Sequence, residues 1–391
     1  MTSAKPKHRR PARWSNRRHF VQRRRTVTLT AILFAILAVA YGAWAVSSAP
    51  SRPASADRQA RSRATILLGG AIPDPGGDWS GLRAGSDPTA LPVPILVADR
   101  GNNRLIEVDP QGRIIWEFPR TGDLAAGETF RVPDDAFFTS DGKQIVATQE
   151  DDFVVTLIDV AAHKIVWRYG TPGSSGAGAN QLWNPDDAIM LRDGHIIVSD
   201  IKNCRVLLLT PGTQTPVQQL GRTGHCSHRP GTRFSSPNGA FPQNDGRFLV
   251  TEIGGDWVTS MGLDGVVSWS THAPGVAYPS DTNQIGPDRY LTVDYSQPGK
   301  IVEFDHTGRL LWQYAPTGAD RLDKPSLAEP LPNGNILATD DDNNRVIVID
   351  PTTSKIVWQY GHTGIAGQQP GYLSDPDGAD VAPPYSLVTH A

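Results

Sequence analysis

A five-residue phrase with proline in second place occurs six times: Val132-Pro133-Asp134-Asp135-Ala136, Asn184-Pro185-Asp186-Asp187-Ala188, Ser236-Pro237-Asn238-Gly239-Ala240, Tyr278-Pro279-Ser280-Asp281-Thr282, Lys324-Pro325-Ser326-Leu327-Ala328 and Asp375-Pro376-Asp377-Gly378-Ala379. Successive prolines are 52, 52, 42, 46 and 51 residues apart. Self-similarity at a period of roughly 40 to 50 residues marks a repeat architecture, and strand-rich units of that length make propeller blades. The phrase constrains architecture far more than activity, because a propeller is a scaffold whose chemistry sits in variable loops.

The fifth unit is the cleanest. After Lys324-Pro325 come Ile336–Asp340, Arg345–Asp350 and Ile356–Tyr360, separated by the turn-forming runs Asn333-Gly334-Asn335, Asp341–Asn344 and Thr352–Lys355. Short β-branched and aromatic runs divided by such turns predict a four-stranded antiparallel blade. Trp116, Trp167, Trp269, Trp312 and Trp358 fall in the fourth strand of five units, where large flat rings suit packing between blades. The expected fold is all-β, a six-bladed β-propeller, with the stretch from Pro376 supplying the inner strand of the first blade. Seven blades are the alternative, since Pro88–Pro94 and Tyr385–Thr389 also resemble strands.

Residues 1–25 carry ten Lys or Arg and no acid, and an uncharged run follows from Thr26 to Val46. That length suits a bilayer-spanning helix, which needs about 20 apolar residues, better than a secretory core of about 7 to 15. The expected layout is a basic cytoplasmic tail over 1–25, a transmembrane signal anchor over 26–46, a flexible stalk over 47–64 and a propeller ectodomain over 65–391. Cleavage after Ala43-Trp44-Ala45 is the competing reading. The anchor places the protein in the cell membrane as a single-pass chain, its propeller extracytoplasmic and its membrane contact made by the N-terminal helix.

Outside the tail, 27 basic residues face 40 acidic ones, although the whole chain carries only −3. A surface of that sign argues against a nucleic-acid partner. The only cysteines, Cys204 and Cys226, are expected to pair as a disulfide in an exported chain. A metal site built on His225-Cys226-Ser227-His228 competes with that pairing.

The turns Asp99-Arg100-Gly101-Asn102-Asn103-Arg104 and Asp340-Asp341-Asp342-Asn343-Asn344-Arg345 resemble the Asp-x-x-Asn-Asn-Arg turn of NHL repeats. Outer-strand segments such as Asp350–Trp358 resemble PQQ-like (quinoprotein-type) repeats and the bacterial arylsulfotransferase propellers. The resemblance spans roughly Ile95 to Val381 and implies a propeller used as enzyme, sensor or binding platform. Arylsulfotransferases use a channel histidine, and none of the six phrases carries one. PQQ dehydrogenases typically have eight blades and a vicinal cysteine pair, neither of which is found here.

Antiparallel connectivity puts the acids that open each inner strand on the same face as the residues that end each second strand. Asp135, Asp187 and Asp281, with Asp200, Glu252 and Asp294, are therefore expected to form a carboxylate collar at the channel mouth. Such a collar suits calcium or another divalent cation, which takes oxygen ligands. Strand-end acids also cap backbone N–H groups and pair with Arg104, Arg205 and Arg345, so a purely structural role stands beside the metal. A carboxylate pair with one raised pKa is the third reading. No cofactor is otherwise indicated.

The functional expectation is a binding or scaffolding module that meets a protein or small-molecule ligand on its interblade-loop face. The alternative is a propeller enzyme: a metal-dependent hydrolase or lactonase, ahead of an arylsulfotransferase-like enzyme or a quinoprotein.

Overall fold

The computed structural model describes residues 81–385. They form six four-stranded antiparallel sheets arranged as the blades of a propeller. The inner strands of blades 2 to 6 are Pro133–Phe138, Pro185–Met190, Pro237–Pro242, Pro279–Gly286 and Ala328–Pro330, each followed in sequence by the rest of its blade. Blade 1 differs: its inner strand is Pro376–Val381, from the C-terminal end, paired with Ile95–Asp99. Closing the ring with this strand covers the backbone edge that Ile95–Asp99 would otherwise present. Pro88–Ala90 is a single 3-10 turn and adds no blade, so the seven-bladed alternative gives way to six. Residues 386–389 lie outside the described residues, as do those of the expected tail, anchor and stalk. Among the described residues no helix is long and apolar enough to cross a membrane.

Two devices hold neighbouring blades together. The first is the outer-strand tryptophan. Trp116 Nε1 donates to Val160 O of blade 2 at 3.0 Å, Trp358 Nε1 donates to Pro110 O of blade 1 at 3.0 Å, and the Trp269 ring lies 4.7 Å from that of Tyr290 in blade 5. The second is a clamp at the end of every second strand. Asp99, Gln149, Asp200, Glu252, Asp294 and Asp340 each accept from a backbone N–H two residues before a phrase proline, namely Ser374, Arg131, Trp183, Ser235, Ala277 and Asp323. Every interblade loop is thus tied to the second strand of the blade it leads into. In three blades an arginine completes the clamp, with Nε of Arg104, Arg205 and Arg345 each 2.7 Å from Asp99, Asp200 and Asp340.

Immediately after the phrase proline, the pairing of inner and second strands shifts register in blades 1 to 5. In blade 2, Pro133 faces Gln149 and Ala136 faces Ala147, so Asp134 and Asp135 together oppose Thr148 alone. A bulge of this kind re-aims side chains that regular alternation would send to opposite faces. Two consecutive phrase positions thereby address the channel.

Candidate functional site: a carboxylate funnel in the channel mouth

The first residue after each phrase proline forms the upper ring. Asp134, Asp186, Asn238, Ser280, Ser326 and Asp377, one from each blade, line a common funnel of about 210 Å³ together with Arg100, Glu150, Tyr278, Tyr295 and Lys324. Arg100 bridges this ring. It donates to Asp134, to Asp377 at 2.8 Å, to Glu150 at 2.9 Å and to Asp151 at 3.2 Å; burial lowers its pKa, but Asp377, Glu150 and Asp375 outweigh that and hold it above the usual value. Asn238 Nδ2 donates to Asp186 and, at 3.0 Å, to Ser280 Oγ, while Ser326 Oγ donates to Asp341 at 2.9 Å.

The second residue after the proline forms a deeper layer, with Asp135, Asp187 and Asp281 from blades 2, 3 and 5. They are 4%, 1% and 2% exposed, and one carboxylate oxygen from each lies within 4.8 Å of the others. Asp135 Oδ1, both oxygens of Asp187 and Asp281 Oδ1 have no donor outside the cluster, and a protonated Asp187 can share a hydrogen bond only with Asp281. The site leaves them room because blades 4 and 1 contribute glycines at this position. A Cβ on Gly239 would stand 2.9 Å from Asp187 Oδ2 and 3.3 Å from Asp281 Oδ1, and one on Gly378 would stand 2.3 Å from Asp135 Oδ1. Asp135 also meets Asp134 and Asp186 of the upper ring within the same 4.8 Å, joining the two layers.

Burial away from water pushes the Asp281 carboxyl up to about 7. Asp135 and Asp187 are raised well above the carboxylate range, first by burial and then by the negative charge of Asp281; for Asp186 the carboxylates that add to burial are Glu150 and Asp281. Arg100 is the cation that offsets this charge for Asp135 and Asp186, and crowded carboxylates beyond its reach relieve the cost by binding protons or a cation. Three carboxylates with free oxygens are ligands for a hard divalent ion, which prefers oxygen donors. Two residues further along the inner strands, Phe137 and Phe241 meet edge to face with centroids 5.6 Å apart and put apolar rings beneath the trio.

Of the six acids expected to act together, Asp135, Asp187 and Asp281 form this trio. Asp200, Glu252 and Asp294 do not join it, because their oxygens are committed to the interblade clamps. Cys204 and Cys226 are joined in a disulfide with Cα atoms 5.2 Å apart, which removes the thiolate from the His225–His228 metal alternative. The sequence reading did not anticipate the parts played by Arg100 or by the two glycines. The glycines show in the sequence only as two Gly residues at a phrase position otherwise held mostly by Asp.

A family model described as outer membrane protein assembly factor BamB matches residues 214–369, from the outer strand of blade 3 to the loop before the closing strand, which is less than half of the chain. No curated protein matches by sequence. Solved structures that share the architecture include a protein of unknown function from Bacteroides caccae, 16% identical with a TM-score of 0.51, covering 73% of this chain and 97% of that one. A streptogramin B lyase is 17% identical with a TM-score of 0.49, covering 73% of this chain and 83% of its own. Virginiamycin B lyase from Staphylococcus aureus is 15% identical with a TM-score of 0.42, covering 58% and 69%. At such identity the likeness to the Bacteroides caccae protein speaks for the fold alone, a β-propeller, and the likeness to the BamB family model is confined to residues 214–369.

Proposed function

We propose that the chain is a membrane-anchored, extracytoplasmic binding module that takes its ligand in the funnel of the interblade-loop face, over a divalent cation held by Asp135, Asp187 and Asp281. Calcium is the first candidate, since it accepts several oxygen ligands in irregular geometry. One observation carries the reading: the 1%-exposed Asp187 has no hydrogen-bonding neighbour except another carboxyl, that of Asp281, and lies beside two further buried carboxylates. A carboxylate placed this way costs several kcal/mol as a bare charge, and a bound cation removes that cost. The outer ring, with Tyr278, Tyr295 and Arg100 beside its acids, offers a ligand both aromatic and charged contacts.

The test is melting of the full-length protein in detergent after chelation, followed by calcium and magnesium titration. A native-state ligand raises the melting temperature with the logarithm of its concentration. The expected result is a rise with calcium that disappears in the double variant Asp135→Asn, Asp187→Asn. No response in the unsubstituted protein would sink the proposal.

A second reading, a metal-dependent hydrolase or lactonase, draws on Asp186. Its carboxyl, raised well above the usual carboxylate range first by burial and then by Glu150 and Asp281, lines the funnel and also reaches the carboxylate of Asp135. A general acid placed beside cation ligands is what lactone opening needs. Calcium-dependent lactone hydrolysis lost in Asp186→Asn, with the calcium-dependent melting shift retained, would select this reading over simple binding.

A further inference from the structure

Blade 4 departs from the clamp used by its neighbours. In blades 1, 3 and 6 the strand-end acid is paired with an arginine five residues on, but in blade 4 that position is Trp257. The partner of Glu252 is instead His228, brought in by the loop between blades 3 and 4, with Nδ1 2.8 Å from Glu252 Oε1. A permanently charged guanidinium has been replaced by an imidazole, which exchanges protons near neutral pH.

The other imidazole nitrogen is directed at a hydroxyl. His228 Nε2 lies 3.4 Å from Ser270 Oγ, on the outer strand Val267–His272, and Ser270 Oγ lies 2.8 Å from Thr259 Oγ1. Three features fix this line of groups. Glu252 is fully buried and also accepts from Ser235 N–H. The Trp257 indole stacks on the imidazole at 4.0 Å with the rings 2° from parallel. The Cys204–Cys226 disulfide ties down the loop two residues before His228. With its proton on Nδ1 donated to Glu252, the neutral ring leaves Nε2 to accept from Ser270, and Thr259 donates to Ser270 Oγ. Burial, with His272 nearby, lowers the pKa of His228 and so favours the neutral ring.

We propose that Ser270, His228 and Glu252 form a nucleophile, base and orienting group on the seam between blades 3 and 4, where Ser270 accepts the acyl group of small activated carboxylic esters. The ordering of roles is the one by which a serine becomes reactive without a metal: a base within reach of the hydroxyl, itself oriented by a carboxylate. As Ser270 Oγ bonds to the ester carbonyl carbon, its proton passes to His228 Nε2. The ester C–O bond then breaks and the alcohol departs with that proton. Water attacks the acyl-serine, gives a proton to His228, and the carboxylic acid leaves as Ser270 Oγ is reprotonated. A 3.4 Å approach is within the range of a resting hydrogen bond that tightens when substrate binds. The half-buried position of Ser270 confines the reaction to small acyl groups. This site is separate from the funnel and does not depend on a cation.

The experiment uses the full-length protein with p-nitrophenyl acetate and a fluorophosphonate probe, reading p-nitrophenolate release and the position of the adduct by peptide mass spectrometry. The expected result is one adduct at Ser270, absent in Ser270→Ala, and formed about 10²-fold or more slowly in His228→Gln, the usual contribution of a positioned base. Glu252→Gln should slow adduct formation by a smaller factor. An unlabelled Ser270 in protein that still melts cooperatively overturns the proposal, because the adduct in the unsubstituted chain decides the matter even if a variant misfolds. Labelling of Ser270 at an unchanged rate in His228→Gln overturns it too, since that outcome makes His228 a structural partner of Glu252 only.

Discussion

Gly239 and Gly378 belong to the proposed cation site as much as its acids do, because the unpartnered oxygens occupy space that a Cβ on either residue would take. Gly239→Ala is expected to weaken the calcium response by tenfold or more, about 1.4 kcal/mol, with a smaller change in melting temperature when calcium is absent. A calcium titration midpoint equal to that of the unsubstituted protein would place the cation elsewhere. The acids of the trio were legible in the sequence, since Asp135, Asp187 and Asp281 share one position of a phrase that recurs in register. The glycines were not. A glycine in one strand acquires its meaning only from carboxylates delivered by other strands, and the spacing of those strands in the ring is not written in any single repeat.

At the scale of strands, alternation and turn chemistry sufficed to read the blades, and a phrase at Pro376 without a blade of its own after it sufficed to suggest closure. What the second-strand acids do was harder to read. Asp200, Glu252 and Asp294 were expected either in the channel or as caps and arginine partners, and they take the second role: each accepts a backbone N–H of an interblade loop, and Asp200 also pairs with Arg205. The clamp makes a strong prediction where it is driest. Asp340 and Arg345 are both 0% exposed, and Arg345 also donates to Gln359, Thr363 and the carbonyls of Asp320 and Arg321. Arg345→Met leaves Asp340 as an uncompensated buried charge and should cost about 3–5 kcal/mol, more than replacing both partners with apolar residues. Trp358→Ala, which opens a cavity at the seam of blades 6 and 1, should cost about 3–5 kcal/mol as well. Denaturant unfolding measures both, and a midpoint unmoved in either variant would show that the seam is not load-sharing.

For the whole molecule, the two ends of the chain pull in different directions: the basic N-terminal stretch is suited to an anionic membrane face, and the propeller concentrates acids around its axis. The full-length chain is expected in the membrane fraction and to require detergent for extraction, and recovery of the intact chain in the soluble fraction would remove the anchor. The axial acids also give the propeller a characteristic dependence on pH. Asp281 is pushed up to about 7, and Asp135, Asp186 and Asp187 are raised in the same direction, whereas aspartates in the unfolded chain titrate near ~3.9. The folded state therefore binds more protons than the unfolded state through this window. The stability these groups contribute is fully present below the unfolded value and is lost as pH rises through the folded one. In chelator, the melting temperature should rise as pH is lowered from about 8 toward about 5. A cation competes with those protons for the same oxygens, so the increment produced by saturating calcium should be small near pH 5 and grow as the carboxyls shed their protons toward pH 8. Differential scanning calorimetry at matched ionic strength, with and without calcium, reads both trends. A calcium increment that stays constant across this range would mean that the cation binds carboxylates already ionised at pH 5, which excludes the buried trio as its site.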